Sequence, residues 1–284
     1  MSALLALLSS ALWGLSDFLG GTVSRRLPVP SVLCLSQLAA LLLLVPVAAA
    51  TGALDTPRSY LVPGIVAGAV GVTSLGMFFR ALAIGTMGVV APVAALGVSV
   101  PIIVGLLRGE QPATLQAAGI VVAAVGVVLA SGPELNGGGR GGVAPLLLSL
   151  ASATGFGTVL VLVARGSQGP AGAVVMTLLT MRVTGVLLLG AVLLVAVARK
   201  GWALGVETGD LLLLFVLGLT DVIANGAYAQ SSRGGLISVS AVLASLYPVV
   251  TALLAYRIHG ERLRRVQLAG VGITLVGIAL LAGG

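Results

Sequence analysis

Polar positions are sparse along this chain and fall at intervals, with long apolar stretches between them. The apolar runs lie at about 3–22, 31–50, 60–80, 86–107, 113–131, 143–164, 172–198, 210–230, 235–256 and 266–283. Each has the length, roughly 20 residues, that an α-helix needs to cross the hydrocarbon of a bilayer. Helix is forced here more by solvent than by propensity. Backbone amides in hydrocarbon must be satisfied within the segment or by a closed barrel, and the runs lack the alternation of barrel strands. The pattern predicts an all-α integral membrane protein of about ten transmembrane helices.

One segment breaks the pattern. Residues 131–142, Ser-Gly-Pro-Glu-Leu-Asn-Gly-Gly-Gly-Arg-Gly-Gly, are polar, glycine-rich and close to the middle of the chain. They read as a linker, since no Lys-Ser/Thr follows as a phosphate-binding loop would require. The residues on either side repeat. At an offset of 151, Gly109, Glu110, Gln116, Ala118, Gly119, Gly126 and Gly132 match Gly260, Glu261, Gln267, Ala269, Gly270, Gly277 and Gly283. An offset of 150 lays Gly85, Val89 and Ala91 on Gly235, Val239 and Ala241, and one of 145 lays the run from Gln37 on that from Arg182. Trp13-Gly14 falls over Thr154-Gly155 more thinly. Five helices per copy is an odd number, so the second copy enters the membrane in the opposite orientation. The expected architecture is two inverted five-helix repeats, 1–132 and 143–284, joined by a linker at 133–142, with a site at their interface near the midplane.

Composition strengthens the membrane reading and removes others. Hydrophobic residues make up 58% and charged residues 8%, with a mean hydropathy of +1.17, where soluble domains carry about 25% charged residues. A net charge of +7 would suggest nucleic acid in a soluble protein. Here the basic residues punctuate the ends of apolar runs, at Arg25-Arg26, Arg199-Lys200 and Arg262 to Arg265, and read as interfacial anchors. Aromatics are 4% and are not interleaved with a basic stripe, so no stacking platform for nucleic acid is present. The lone Cys34 excludes an intrachain disulfide and a cysteine zinc cluster and reads as a packing residue. No cofactor or metal motif stands in the chain. The first run has no basic residue ahead of it and reads as a membrane span rather than a signal peptide.

Four features together resemble the EamA family of the drug/metabolite transporter superfamily. They are Ala11-Leu-Trp-Gly14, the run Ser245-Leu-Tyr-Pro-Val-Val-Thr-Ala-Leu-Leu254, the Gly-Glu pairs at Gly109-Glu110 and Gly260-Glu261, and the closing Gln-x-x-Gly segments. The resemblance implies ten helices in two EamA-like repeats and a multi-pass protein of a bacterial plasma membrane. It also implies a small-molecule solute as cargo, commonly exported, with lipid as the surrounding partner. Members often carry an Arg early in the second helix of each repeat. Arg182 matches that position in the second copy, but Gln37 stands there in the first.

Charges within spans cost roughly 2.5–3.5 kcal/mol each near a helix centre on insertion scales, so each is a functional hypothesis. Asp17, Arg182 and Asp221 qualify. Asp221 shares a helical face with Asn225 and Tyr228, which predicts a cavity-lining strip. Asp221 either neutralises Arg182 or serves substrate or proton, and the two roles are compatible. Asp17 lies on nearly one face with Ser10 and Trp13. An apolar setting penalises its charged form, which suits proton coupling, although an Asp near a helix end also snorkels or bonds a neighbouring helix. Ser240, Ala244, Tyr247 and Thr251 form a further strip, with a kink expected at Pro248 just beyond Tyr247. Pro92 and Pro101 would play a similar part in the fourth helix. Glu110 and Glu261 are expected to cap or stabilise turns ahead of a helix, His259 to be a solvated interfacial residue, and Gly64 with Gly68 to be a packing surface.

A secondary transporter working by alternating access, with possible proton coupling, is the leading function. A flippase for a lipid-linked substrate also fits a polar cavity in an apolar bundle. An intramembrane enzyme would need a convergent set that one His and scattered carboxylates do not supply. No nucleotide-binding motif for an ATP-driven pump is present. Counting Lys and Arg places both termini outside, whereas the resemblance implies cytoplasmic termini. Oligomeric state is not legible.

Overall fold

A computed structural model describes residues 2–100, 142–170, 172–200, 205–234 and 246–283, with scattered positions between 114 and 129 and at 243–244. Its α-helices are α1 (Ser2–Val23), α2 (Val29–Ala50), α3 (Leu61–Ile84), α4 (Met87–Ala95), α5 (Ala144–Gly166), α6 (Gly172–Lys200), α7 (Thr208–Gly234), α8 (Tyr247–His259) and α9 (Arg265–Gly283). Among the described residues there is no strand. Six helices, α1 to α3 and α5 to α7, are long and apolar enough to span a bilayer, and α9 is a shorter apolar helix. Helical in its described elements, the chain is a multi-pass membrane protein. The expected count of ten is not established, because the runs at 86–107, 113–131 and 235–256 lie wholly or partly outside the described residues.

Local chemistry sets the boundaries. Pro28 caps α2 and Pro30 sits in its first turn, where a missing N–H costs no hydrogen bond. Gly260, with φ of 64°, closes α8 in the left-handed conformation that L side chains resist. Asp210 in the first turn of α7 accepts from the Glu207 N–H at 3.2 Å, which ties down a helix start where negative charge is favourable.

The fourth and ninth runs depart from the expected single helices. α4 ends at Ala95 and continues as a 3₁₀ turn, Leu96–Val98, with Pro92 inside the helix. In the ninth run a turn at Leu246 precedes α8 and Pro248 stands in the first turn of that helix; residues 235–242, on whose side the expected kink would show, lie outside the described residues. A proline begins a helix more readily than it bends one, since first-turn N–H groups have no intrahelical acceptor anyway.

The two parts of the chain interleave rather than sit side by side. α1 packs on α7 and α8, α3 on α5 and α6, and α2 on both α6 and α7, while α4 meets α5 and α8. Glycine permits the close approaches. A Cβ at Gly64 would lie 2.8 Å from Thr180 Cβ, and one at Gly68 would lie 2.5 Å from the Met181 carbonyl oxygen, so the Gly64/Gly68 strip is the seat of α6 on α3. Gly126 faces Thr274, and Gly277 faces Ala123. These two contacts exchange under the 151-residue offset found in the sequence.

The main core joins Leu33 and Cys34 of α2, Phe78, Phe79 and Leu82 of α3, Met87 of α4, and Leu214 and Leu217 of α7. Leu42, Leu187, Leu194 and Leu212 are exposed on the outside of the bundle. In water such leucines would be a liability. Against lipid they are at home, and helix association then rests on the fit of small residues and interhelical hydrogen bonds.

Candidate functional site

A cavity of about 190 Å³ lies in the middle of the bundle. Asp17, Trp13, Gln37, Arg182, Asp221, Asn225, Tyr228 and Tyr247 all line it, drawn from α1, α2, α6, α7 and α8. Ser240 and Pro101, named from sequence, lie outside the described residues, as does Glu110. Ser10 is buried but is not part of the wall. Thr251 is likewise buried elsewhere: its hydroxyl donates to the Gly14 carbonyl at 3.1 Å and to the Tyr247 carbonyl at 3.2 Å.

Arg182 is the polar centre of the wall and is 3% exposed. Its Nη2 stands 2.6 Å from Asp221 Oδ2, and its Nη1 donates to Gln37 Oε1 at 2.8 Å. A guanidinium this deep is tolerable only with such partners, because stranding it would leave a charge in low dielectric. The Asn225 amide donates to the Asp221 backbone carbonyl at 2.7 Å and reaches Oδ1 at 3.3 Å, which holds the carboxylate toward Arg182. Gln37 and Arg182 are the residues that the 145-residue offset makes equivalent. When a residue meets its own counterpart, the contact lies on the relation between the two copies.

Asp17 is 9% exposed and lines the same cavity. Trp13 is one turn before it on the same face of α1. The Trp13 ring lies 5.6 Å from that of Tyr228 and 6.3 Å from that of Tyr247, the second nearly edge-on at 77°. Gly14 makes this possible: a Cβ there would lie 2.5 Å from Val250 Cβ and 2.7 Å from the Tyr247 carbonyl oxygen. The adjacent Trp13 and Gly14 thus perform one task, bringing α8 and its Tyr247 to the indole.

Sequence reasoning did not single out the apolar wall. Phe78 and Phe156 line the cavity and stack edge-on at 5.4 Å and 83°. Inside apolar runs such residues have no contrast with their neighbours. Their one signal was rarity, since the chain has only 5 Phe.

One end of the bundle carries a second polar constellation. Arg25 Nη2 pairs with Glu261 Oε1 at 2.5 Å, and Glu261 Oε2 accepts the Met87 N–H at 2.9 Å. Arg26 pairs with Asp210 at 2.6 Å. His259 Nε2 lies 2.8 Å from Thr22 Oγ1, with its ring 5.0 Å from Phe18. Three expectations are corrected by these contacts. Arg25 and Arg26 are ion-paired to acids rather than acting only as interfacial anchors. Glu261 holds the start of α4 rather than the helix that follows it, because the chain turns at Gly260 and carries the carboxylate across to Met87. The start of α9 is served instead by Gln267, whose Oε1 accepts the Arg264 N–H at 2.9 Å. His259 is half-buried and fastens α8 to α1, because its position at the helix end puts it against Thr22.

Among the described residues no group of His, Cys, Asp and Glu could hold a metal ion. One solved structure, described only as "Crystal structure of protein", aligns with a TM-score of 0.65 over 98% of this chain and 95% of its own, at 19% identity. That likeness speaks for the fold alone. No curated protein sequence matches. The model of the EamA-like transporter family matches residues 1–132 and again 143–283. With two such matches covering nearly its whole length, this chain belongs to the EamA-like transporter family of the drug/metabolite transporter superfamily.

Proposed function

We propose that the protein is a secondary transporter that moves a small organic solute across a bacterial plasma membrane by alternating access. The two halves, related as inverted repeats, rock about the central cavity. Export is the direction that the family resemblance favours, and proton exchange at Asp17 or Asp221 is the coupling. The contact between Gln37 and Arg182 carries this reading. It joins equivalent positions of the two copies at 2.8 Å in the cavity wall, where relative motion of the halves acts most directly on a bound solute. The helix pairings support it too, since swapping the copies turns the α1–α7 contact into α3–α5 and α2–α7 into α3–α6. The ion pairs Arg25–Glu261 and Arg26–Asp210 each bridge the halves and close one end.

Purified protein in liposomes, given a panel of labelled metabolites and drugs under an imposed pH gradient, tests the reading. At least one solute should cross saturably and chemically unchanged, and Asp17→Asn or Asp221→Asn should abolish the dependence on the gradient. Solute that emerges covalently altered, or movement of lipid headgroups in place of solute, would overturn the carrier. Unchanged pH dependence in both variants would eliminate proton coupling.

A further inference from the structure

We infer that the cavity binds a monovalent organic cation with an aromatic or apolar body, Asp17 being its counter-ion; the inference rests on the carrier reading and names its substrate class. The charges of the wall do not cancel. Arg182 is matched by Asp221 at 2.6 Å and satisfied further by Gln37. Among the described residues, no cation pairs with Asp17 and none donates it a hydrogen bond. A carboxylate that is 9% exposed and uncompensated is costly in its charged form. It either holds a proton or is completed by a cationic ligand, and a cation that displaces the proton takes its place. Trp13, Tyr228 and Tyr247 supply three rings from three helices to the same cavity. Aromatic faces attract a cation lying within about 6 Å of the ring centroid, most strongly when water is excluded. Phe78 and Phe156 complete an apolar wall for the rest of the ligand.

An anionic solute finds no such welcome. It would meet two carboxylates, and the guanidinium that could receive it already serves Asp221 and Gln37. Arg182 Nε and Nη2 have no hydrogen-bond acceptor among the described residues, although Nη2 is ion-paired with Asp221; both atoms are buried from solvent and so poorly placed to receive an anion.

Binding to the purified full chain can be measured with phenyltrimethylammonium and with benzenesulfonate, aromatic probes of opposite charge. The cation should bind saturably and the sulfonate should not. Asp17→Asn should weaken the cation at least about tenfold, as expected for losing a desolvated counter-ion, while Asp17→Glu stays within a few fold. Trp13→Ala should weaken it several fold, and Trp13→Phe less. Thermal unfolding of each variant checks that it is folded; if Asp17→Asn is not, the Trp13 pair decides. Sulfonate binding in place of the cation, no binding of the cation, or equal cation binding by folded wild type and Asp17→Asn overturns the inference. The two readings fail separately. A cation that binds but never crosses a liposome membrane overturns the carrier and keeps the site. Transport of neutral or anionic solutes without cation binding overturns the site and keeps the carrier.

Discussion

At the scale of single residues, two carboxylates that look alike in the sequence have different surroundings. The Asp221 side chain is held by Arg182 and Asn225, whereas Asp17 shares the cavity with aromatic rings and, among the described residues, has no cation of its own. Removing each should therefore differ in kind. Asp221→Asn strands a guanidinium that is 4% exposed. Breaking a fully buried pair costs about 3–5 kcal/mol, and the cost here is lower because the Asp221 side chain keeps 22% exposure. Its unfolding temperature in detergent should fall well below that of Asp17→Asn. Adding Arg182→Gln to Asp221→Asn should raise it again, since the stranded charge is gone. A double variant no more stable than Asp221→Asn alone would show that the pair is not what Asp221 contributes.

At the scale of helices, close approach and end-to-end fastening determine the bundle. Gly14→Leu would drive a side chain into Val250 and the Tyr247 backbone, prising α8 from α1. Overpacking of this sort costs about 1–3 kcal/mol or more. It should lower the unfolding temperature and diminish transport together, because the Trp13–Tyr247 contact depends on the same approach. Glu261→Ala leaves Arg25 and the Met87 N–H without their acceptor. An orphaned buried group costs about 1–3 kcal/mol. The expected readout is easier opening at that end, seen as faster thiol labelling of a cysteine placed at Thr22. Unaltered labelling would mean that the ion pairs do not fasten this face.

Much of this scale was legible in the chain. The ends of α2, α5 and α6 fall within about two residues of the apolar runs, because hydrocarbon leaves a spanning backbone little choice but helix. The turn at Leu246 falls two residues before Pro248, where the sequence did signal a departure from regular helix. Spacing could not show that Arg25 meets Glu261 or that His259 meets Thr22. Such pairings join distant stretches, and only the packed helices bring them together. Gln37 and Arg182 could be aligned as counterparts from sequence, yet their contact required knowing where the two copies meet.

At the scale of the whole molecule, duplicated helices enclose an asymmetric cavity. The Gly126–Thr274 and Gly277–Ala123 contacts mirror one another. The charged wall does not, since Arg182 faces Gln37 rather than a second arginine. The central claim is that the cavity opens alternately to the two faces of the membrane. Leu75 lines the cavity and the single native thiol, Cys34, is buried, so Leu75→Cys in a Cys34→Ser background reports on access. The measurement is its modification by a membrane-impermeant thiol reagent, in intact cells and in inside-out vesicles. The account predicts modification from both sides, with Glu261→Ala raising the rate from the side of the ion pairs. Modification from one side only, whatever the variant, would contradict it.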